Sequence, residues 1–260
     1  LPQRFENNSL GNYFTFFVAE MGEKIAAFMN SSKRNGKKLL AVLIDPDKAS
    51  SQHLQNVLQP NNIAKIDLLF IGGSVLTSGN IHDAIKTVKS LCAIPCVIFP
   101  GSPDQISSEA DAILLLSLIS GRNPELLIGK HVESALRLKQ SNLEILPTGY
   151  VLIDGGAPTT VSYISGTTPI PHNKPGLAAT TALAGEQLGL QIIYMDAGSG
   201  AKHPIPATMI EAVRSNTNQP IVVGGGIRTT EGINAAWNAG ADVVVIGNRL
   251  EEDPDFLQQL

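Results

Sequence analysis

Apolar residues along this chain gather into short unbroken runs rather than alternating with polar ones. Eight such runs are read: "LLAVLID" (39–45), "LLFIGG" (68–73), "PCVIFP" (95–100), "AILLLS" (112–117), "ILPTGYVLID" (145–154), "QIIYMDAG" (191–198), "PIVVGGG" (220–226) and "DVVVIG" (242–247). Runs of this length, bounded by Gly, Pro, Asp or Asn, predict strands. Strands that are apolar on both faces are covered on both faces, as in a parallel sheet with helices outside. Helical patterns separate most of them: "ASSQHLQNVLQ", "NIHDAIKTVKSLC", "PELLIGKHVESALRLKQ", "KPGLAATTALAGEQLG", "PATMIEAVRSNT" and "TEGINAAWNAG". Gly189 and Gly240 stand where helix C-terminal glycines belong.

Eight strands alternating with helices predict one closed (β/α)₈ TIM barrel, a single α/β domain over residues 1–260. An open doubly wound sheet is the second choice. The segment "AEMGEKIAAFMNSSK" predicts an extra helix ahead of the first strand. The third crossover, "GSPDQISSEAD", is too short for a full helix and predicts a loop or a single turn. The longest irregular stretch is 154–176, "DGGAPTTVSYISGTTPIPHNKPG". A loop of this length after the fifth strand predicts a lid or binding loop on the catalytic face of the barrel.

Composition narrows the function classes. With 43% hydrophobic residues the chain can build a sizeable core, and a net charge of −4 gives no global field for nucleic acid. Lys33, Arg34, Lys37 and Lys38 read as a solvated helix end or loop. Cys92 and Cys96 fit no common zinc spacing and read as buried, reduced thiols, which suits the cytoplasm. No secretory signal and no membrane-spanning run is read.

The candidate chemistry lies at the strand ends, which converge on one mouth in a barrel. Strands six, seven and eight end in "YMDAGSG", "VGGGIR" and "VIGN". Glycine lets a ligand approach the backbone, whose N–H groups favour an anion, and a phosphate site is the reading. Strand one ends in Asp45, with Asp47 just beyond as a cap for the following helix, and strand two ends beside Ser74. A carboxylate next to a phosphate needs a cation between them, and Mg²⁺ suits one carboxylate, a hydroxyl and phosphate oxygens. No lysine lies within a strand-like run for Schiff-base chemistry, and the histidines form no metal spacing. His203 reads as a surface residue near the "GSG" turn.

Together, "LIDPDK", "FIGGS", "PTGYVLIDGG", "TTPIPHNKP", "YMDAGSGA", "VGGGIRT" and "VVIGN" resemble geranylgeranylglyceryl phosphate synthase. The likeness is to the larger group of that family, with archaeal and bacterial members, and runs from roughly residue 36 onward. It implies a Mg²⁺-dependent prenyltransferase that joins the 3-hydroxyl of sn-glycerol 1-phosphate to a prenyl diphosphate, releasing pyrophosphate. By position, it assigns Asp45 and Ser74 to the metal. Tyr194, Met195, Asp196, Ala197, Gly198, Ser199, Gly200, Gly225, Gly226, Gly247 and Asn248 are assigned to glycerol phosphate. Asp196 is the candidate base, standing where the family commonly has Glu, and Leu43 stands where the smaller bacterial group has Lys. The resemblance also implies a dimer or hexamer, and the lipid product implies transient membrane contact. The alternatives on the same barrel are a flavin mononucleotide-dependent oxidoreductase, a sugar-phosphate isomerase and a non-catalytic phosphate-binding scaffold.

Overall fold

The computed structural model describes residues 24–260. Eight parallel strands close into one barrel in sequence order: β1 Leu39–Ile44, β2 Leu68–Gly73, β3 Cys96–Pro100, β4 Ala112–Leu118, β5 Glu144–Leu152, β6 Ile192–Asp196, β7 Ile221–Gly224 and β8 Val243–Ile246. Closure is made by β1 against β8, with Ala41 opposite Val245. The open doubly wound alternative is excluded by that pairing.

The unbroken apolar runs are explained by two layers of packing. Side chains of one parity, among them Leu39, Ala41, Phe70, Val97, Leu114, Leu152, Tyr194 and Val222, fill the barrel interior. The other parity, including Leu40, Val42, Ile71, Ile98, Val151, Met195 and Val223, packs under the surrounding helices. Both faces are therefore buried, as a barrel strand requires.

The helices are α1 Ile25–Arg34, α2 Ser51–Val57, α3 Pro60–Ile63, α4 Ile81–Leu91, α5 Gly129–Gln140, α6 Thr160–Ser165, α7 Pro175–Gln187, α8 Ala207–Arg214, α9 Thr230–Asn238 and α10 Asn248–Glu252. Helix α1 is the predicted extra helix, and the first residues of its predicted segment, 19–23, lie outside the described residues. It carries Ile25 and Met29 into the interior cluster. Glu144 at the start of β5 accepts the N–H of Ile25 at 2.5 Å and of Ala26 at 3.1 Å. A carboxylate on free amides at a helix N-terminus satisfies donors that the helix cannot.

Residues 101–111, between β3 and β4, contain no helix, as the shortness of that crossover predicts. Gly189 (φ 87°) and Gly240 (φ 114°) follow α7 and α9 in the expected capping place. Arg34 stands exposed in the last turn of α1, the solvated helix end predicted, while the three lysines make further contacts. Lys37 pairs with Asp67 at 3.0 Å, Lys38 donates to Ala241 O at 2.6 Å, and Lys33 donates to Asn218 O. They tie α1 and β1 to neighbouring loops, because the chain folds those carbonyls and carboxylates within reach of long side chains.

Candidate active site

At the C-terminal mouth a polar cavity of about 200 Å³ gathers most of the predicted residues. Asp45, Ser74, Tyr194, Asp196, Ser199, Gly200, Gly225, Gly226 and Gly247 all line it. Met195 and Ala197 do not line it, because strand parity turns them into the outer packing layer. Gly198 is set behind it, and Asn248 opens α10 directly after Gly247. The mouth also includes Arg228, and Arg249, whose guanidinium is paired with Asp253 at 2.8 Å.

Asp196 ends β6 with its side chain inward and 7% exposed. Gly198 N–H donates to its Oδ1 at 2.8 Å, and the Tyr150 hydroxyl donates to its Oδ2. Burial raises the carboxyl above its ordinary value, while the two hydrogen bonds oppose that rise. Burial, and then the neighbouring Asp196, push the Tyr150 phenol well above its ordinary value, so it remains a proton donor. Two donors do not exhaust a carboxylate's acceptor sites, and capacity remains for a ligand hydroxyl.

The glycines have two different uses. A Cβ on Gly198 (φ +85°) would lie 2.6 Å from Thr159 Oγ1, and one on Gly226 (φ +71°) would lie 2.6 Å from His203 O. Those glycines let the loops after β5, β6 and β7 abut one another. The Lys202 and His203 N–H groups both donate to Gly155 O, at 2.9 and 3.0 Å, which adds to the interlock. Gly200, with open space around it, lines the cavity instead. His203 is an exposed part of this packing and does not line the cavity.

Asp45 caps the short 3₁₀ turn Pro46–Lys48, accepting Asp47 N–H at 3.0 Å. Its Oδ1 lies 3.9 Å from the place a Cβ on Gly73 would occupy, so the carboxylate faces the end of β2 that carries Ser74. This hard oxygen set of one carboxylate and one hydroxyl fits Mg²⁺ if water and phosphate oxygens complete the shell. Among the described residues no cluster of three or more His, Cys, Asp or Glu forms a cage of its own.

Asp47 departs from its predicted role. Ser50 caps α2 instead, its hydroxyl accepting His53 N–H. Asp47 reaches across to the loop after Ser74, accepting Thr77 N–H at 2.8 Å, Thr77 Oγ1–H at 2.7 Å, Ser78 N–H at 3.1 Å and Gly79 N–H at 2.6 Å. Those donors hold its carboxyl well below the usual range.

A second cavity, of about 150 Å³, is an apolar trough between the barrel wall and α5. It opens where the third crossover lacks a helix, and Ile113, Leu115, Leu118, Leu126 and Leu138 line it. The two cavities meet: Gly73, Ser74, Phe99, Tyr150 and Val161 line both. Val161 belongs to α6, a helix inside the stretch predicted to be irregular, whose start is fixed by a reciprocal Thr159–Ser162 capping box. After α6 the chain returns to pair Ile170 with Ile153, which clips the loop beside β5. The trough residue His131 places Nε2 2.8 Å from Leu116 O, a structural use of a histidine. Cys92 and Cys96 are free thiols, and burial pushes Cys96 up to about 12.

The PcrB family model matches residues 33–260. The chain belongs to the PcrB family. A "Geranylgeranylglyceryl phosphate synthase" of Spirosoma linguale is 54% identical over 88% of this chain and 92% of the relative. One of Chitinophaga pinensis is 50% identical over 92% and 95%. Among solved structures, (S)-3-O-geranylgeranylglyceryl phosphate synthase from Thermoplasma acidophilum, in complex with substrate sn-glycerol-1-phosphate, superposes with a TM-score of 0.84. It is 31% identical, and the match covers 90% of this chain and 94% of that one. This PcrB-family chain therefore carries the expected barrel and the expected strand-end motifs in one mouth.

Sequence reasoning passed over Tyr150, Phe99, Val161, Arg228 and Arg249 as site residues. For Tyr150 and Phe99 the available signal was an aromatic near the C-terminal end of an otherwise aliphatic strand.

Proposed function

We propose that this chain joins the 3-hydroxyl of sn-glycerol 1-phosphate to geranylgeranyl diphosphate, giving 3-O-geranylgeranylglyceryl phosphate and pyrophosphate. The observation that carries the reading is the junction of a polar, glycine-rimmed cavity with an apolar trough. A prenyl diphosphate has those two halves. A flavin mononucleotide or sugar phosphate has no use for the trough, and the named relatives favour the synthase reading over both.

In this reading the glycerol phosphate lies against Gly200, Gly225, Gly226 and Gly247, where backbone can approach it closely. Anchoring that end fixes the free hydroxyl near Asp196, which accepts its proton as the ether bond forms. The diphosphate lies on the Asp45 and Ser74 side, and Arg228 adds positive charge at the rim. The C1–oxygen bond of the allylic diphosphate breaks with its electron pair on the leaving group, and the glycerol oxygen takes its place on C1. Asp45 and Ser74 would hold Mg²⁺, which supplies charge neutralisation for the departing diphosphate. Leu115, Leu118 and Leu138 line the route of the hydrocarbon.

No helix among the described residues is long and apolar enough to cross a membrane. We place the enzyme in the cytoplasm as a homo-oligomer, a dimer or a hexamer, touching the membrane transiently to exchange lipid. The deciding experiment supplies radiolabelled sn-glycerol 1-phosphate with prenyl diphosphates of increasing length and Mg²⁺. An organic-extractable ether product that requires all three components supports the reading, and its absence at every length removes it.

A further inference from the structure

Of the residues lining both cavities, Phe99 and Tyr150 are aromatic, and the two rings belong to a packed group. Phe99 stacks on Tyr194 with centroids 5.1 Å apart and planes at 2°. Tyr150 tilts against both, at 6.1 Å from Phe99 and 5.5 Å from Tyr194, and Phe70 backs Tyr194 at 6.2 Å. Tyr194 covers one face of the Phe99 ring, so the remaining surface is what Phe99 presents to the cavities that it lines. The backbone beneath is tightly set: a Cβ on Gly72 would lie 2.0 Å from Phe99 O. Phe99 thus stands at a fixed place on the boundary between the polar and the apolar space.

Resting on the prenyltransferase reading, we infer that the Phe99 ring, supported by Tyr194 and Tyr150, stabilises the positive charge that develops on the allylic carbons. The argument is one of position and chemistry. With the diphosphate among Asp45 and Ser74 and the chain in the trough, C1 to C3 of the prenyl group span the junction. Rupture of the C1–oxygen bond leaves positive character on C1 and C3. A carboxylate there would compete with glycerol for the carbon. An aromatic face attracts a cation through its quadrupole, forms no bond to it, and suits the apolar trough. Its benefit exists only once charge has developed, so it acts on turnover rather than on substrate binding. The ring forms and breaks no bonds. The electron pair leaves with diphosphate, and the glycerol proton leaves with the Asp196 carboxylate.

The test places phenylalanines bearing one to four ring fluorines at position 99 of the full-length chain. Fluorination drains the ring face of negative potential and hardly changes its shape. Single-turnover rates with saturating glycerol phosphate and prenyl diphosphate are expected to fall stepwise, by roughly ten- to thirtyfold across the series. The dissociation constant of an unreactive prenyl thiolodiphosphate should stay constant. Phe99→Leu, which retains an apolar side chain, should show the same slow turnover with intact analogue binding. A rate that is flat across the fluorinated series, a full rate in Phe99→Leu, or analogue binding that weakens as much as turnover would overturn the inference. A wild-type protein that makes no prenyl ether in the same assay would instead remove the reading on which it rests.

Discussion

Tyr150 donates its phenolic hydrogen to Asp196 Oδ2 across the boundary of two neighbouring strands. The contact is a product of register. Tyr150 pairs with Tyr194 and Leu152 pairs with Asp196, so the two inward side chains meet on a diagonal. The carboxylate proposed as base is thereby oriented by a group that does not itself titrate near neutrality.

This relationship makes a pH-dependent prediction. Asp196 is raised by burial, and the Tyr150 hydrogen bond pulls it back toward its ordinary value. As a base it works ionised, so kcat/KM should rise through that raised value as pH increases. Tyr150→Phe removes an opposing influence and should move the acidic limb of the kcat/KM profile to higher pH. A profile of unchanged position would show that the hydrogen bond has no bearing on the base.

Asp196→Asn separates chemistry from stability. Turnover should fall by about 10²–10⁴, the usual worth of a general base. The stability sign is opposite. A carboxyl with a raised folded-state value favours the folded state fully below its unfolded value, and that contribution is lost as pH rises through the folded value. An uncharged amide escapes the loss, so the Tm of the variant at neutral pH should match or exceed that of the parent. A variant that is both inactive and several degrees less stable would point to a structural role for Asp196.

Asp45→Ala should lower Mg²⁺-dependent turnover by about 10²-fold or more, since the carboxylate is proposed to act through the ion, and should lose about 1 kcal/mol of stability with its cap on the 3₁₀ turn. Titration with Mn²⁺, followed by electron paramagnetic resonance in the presence of a prenyl diphosphate, should show weakened binding. Full activity in the variant would take Asp45 out of the metal site.

Much of the barrel was legible because its strands and helices carry their signal locally. Runs such as "DVVVIG" admit few readings besides a strand buried on both faces, and "GSPDQISSEAD" is too short for a full helix. The glycine-rich strand ends were legible as a set for the same reason. What escaped depends on contacts between distant segments. Asp47 reads as a helix cap, since Asp before a helix commonly is one, yet its partners are thirty to thirty-two residues further on. Phe99 and Tyr150 read as core until two cavities are seen to meet at them. Helix α6 is short and rich in Thr and Ser, and its capping box was the one local trace.

The Asp47 contact carries its own prediction. Four donors from Thr77, Ser78 and Gly79 favour its ionised form. Because the folded value is lowered, the contribution is present above the unfolded value and lost as pH falls through the folded one. Asp47→Ala should loosen the loop that follows Ser74, so limited proteolysis should cut at 77–79 faster in the variant. The Mg²⁺ concentration for half-maximal activity should rise as Ser74 loses its support. Unchanged cleavage and unchanged Mg²⁺ dependence would show that the loop is held by other means.

Gly200 and Gly226 offer a paired test of the two uses of glycine at the mouth. Both have positive φ, +82° and +71°, which costs an alanine about 1–2 kcal/mol in either place. Around Gly200 there is open space, so Gly200→Ala should lose about that much stability and nothing further. At Gly226 an added methyl would lie 2.6 Å from His203 O and 2.9 Å from Pro204 N, and these are backbone atoms that no rotamer can move. Gly226→Ala should therefore be the less stable variant, by a further 1–3 kcal/mol or so in denaturant unfolding. It should also displace the loop after β6, whereas Gly200→Ala, whose methyl has open space at the cavity, should raise KM for glycerol 1-phosphate with that loop in place. Equal stability of the two variants would mean that the interlock of the loops yields easily, and that Gly226 is required by the ligand rather than by the neighbouring chain.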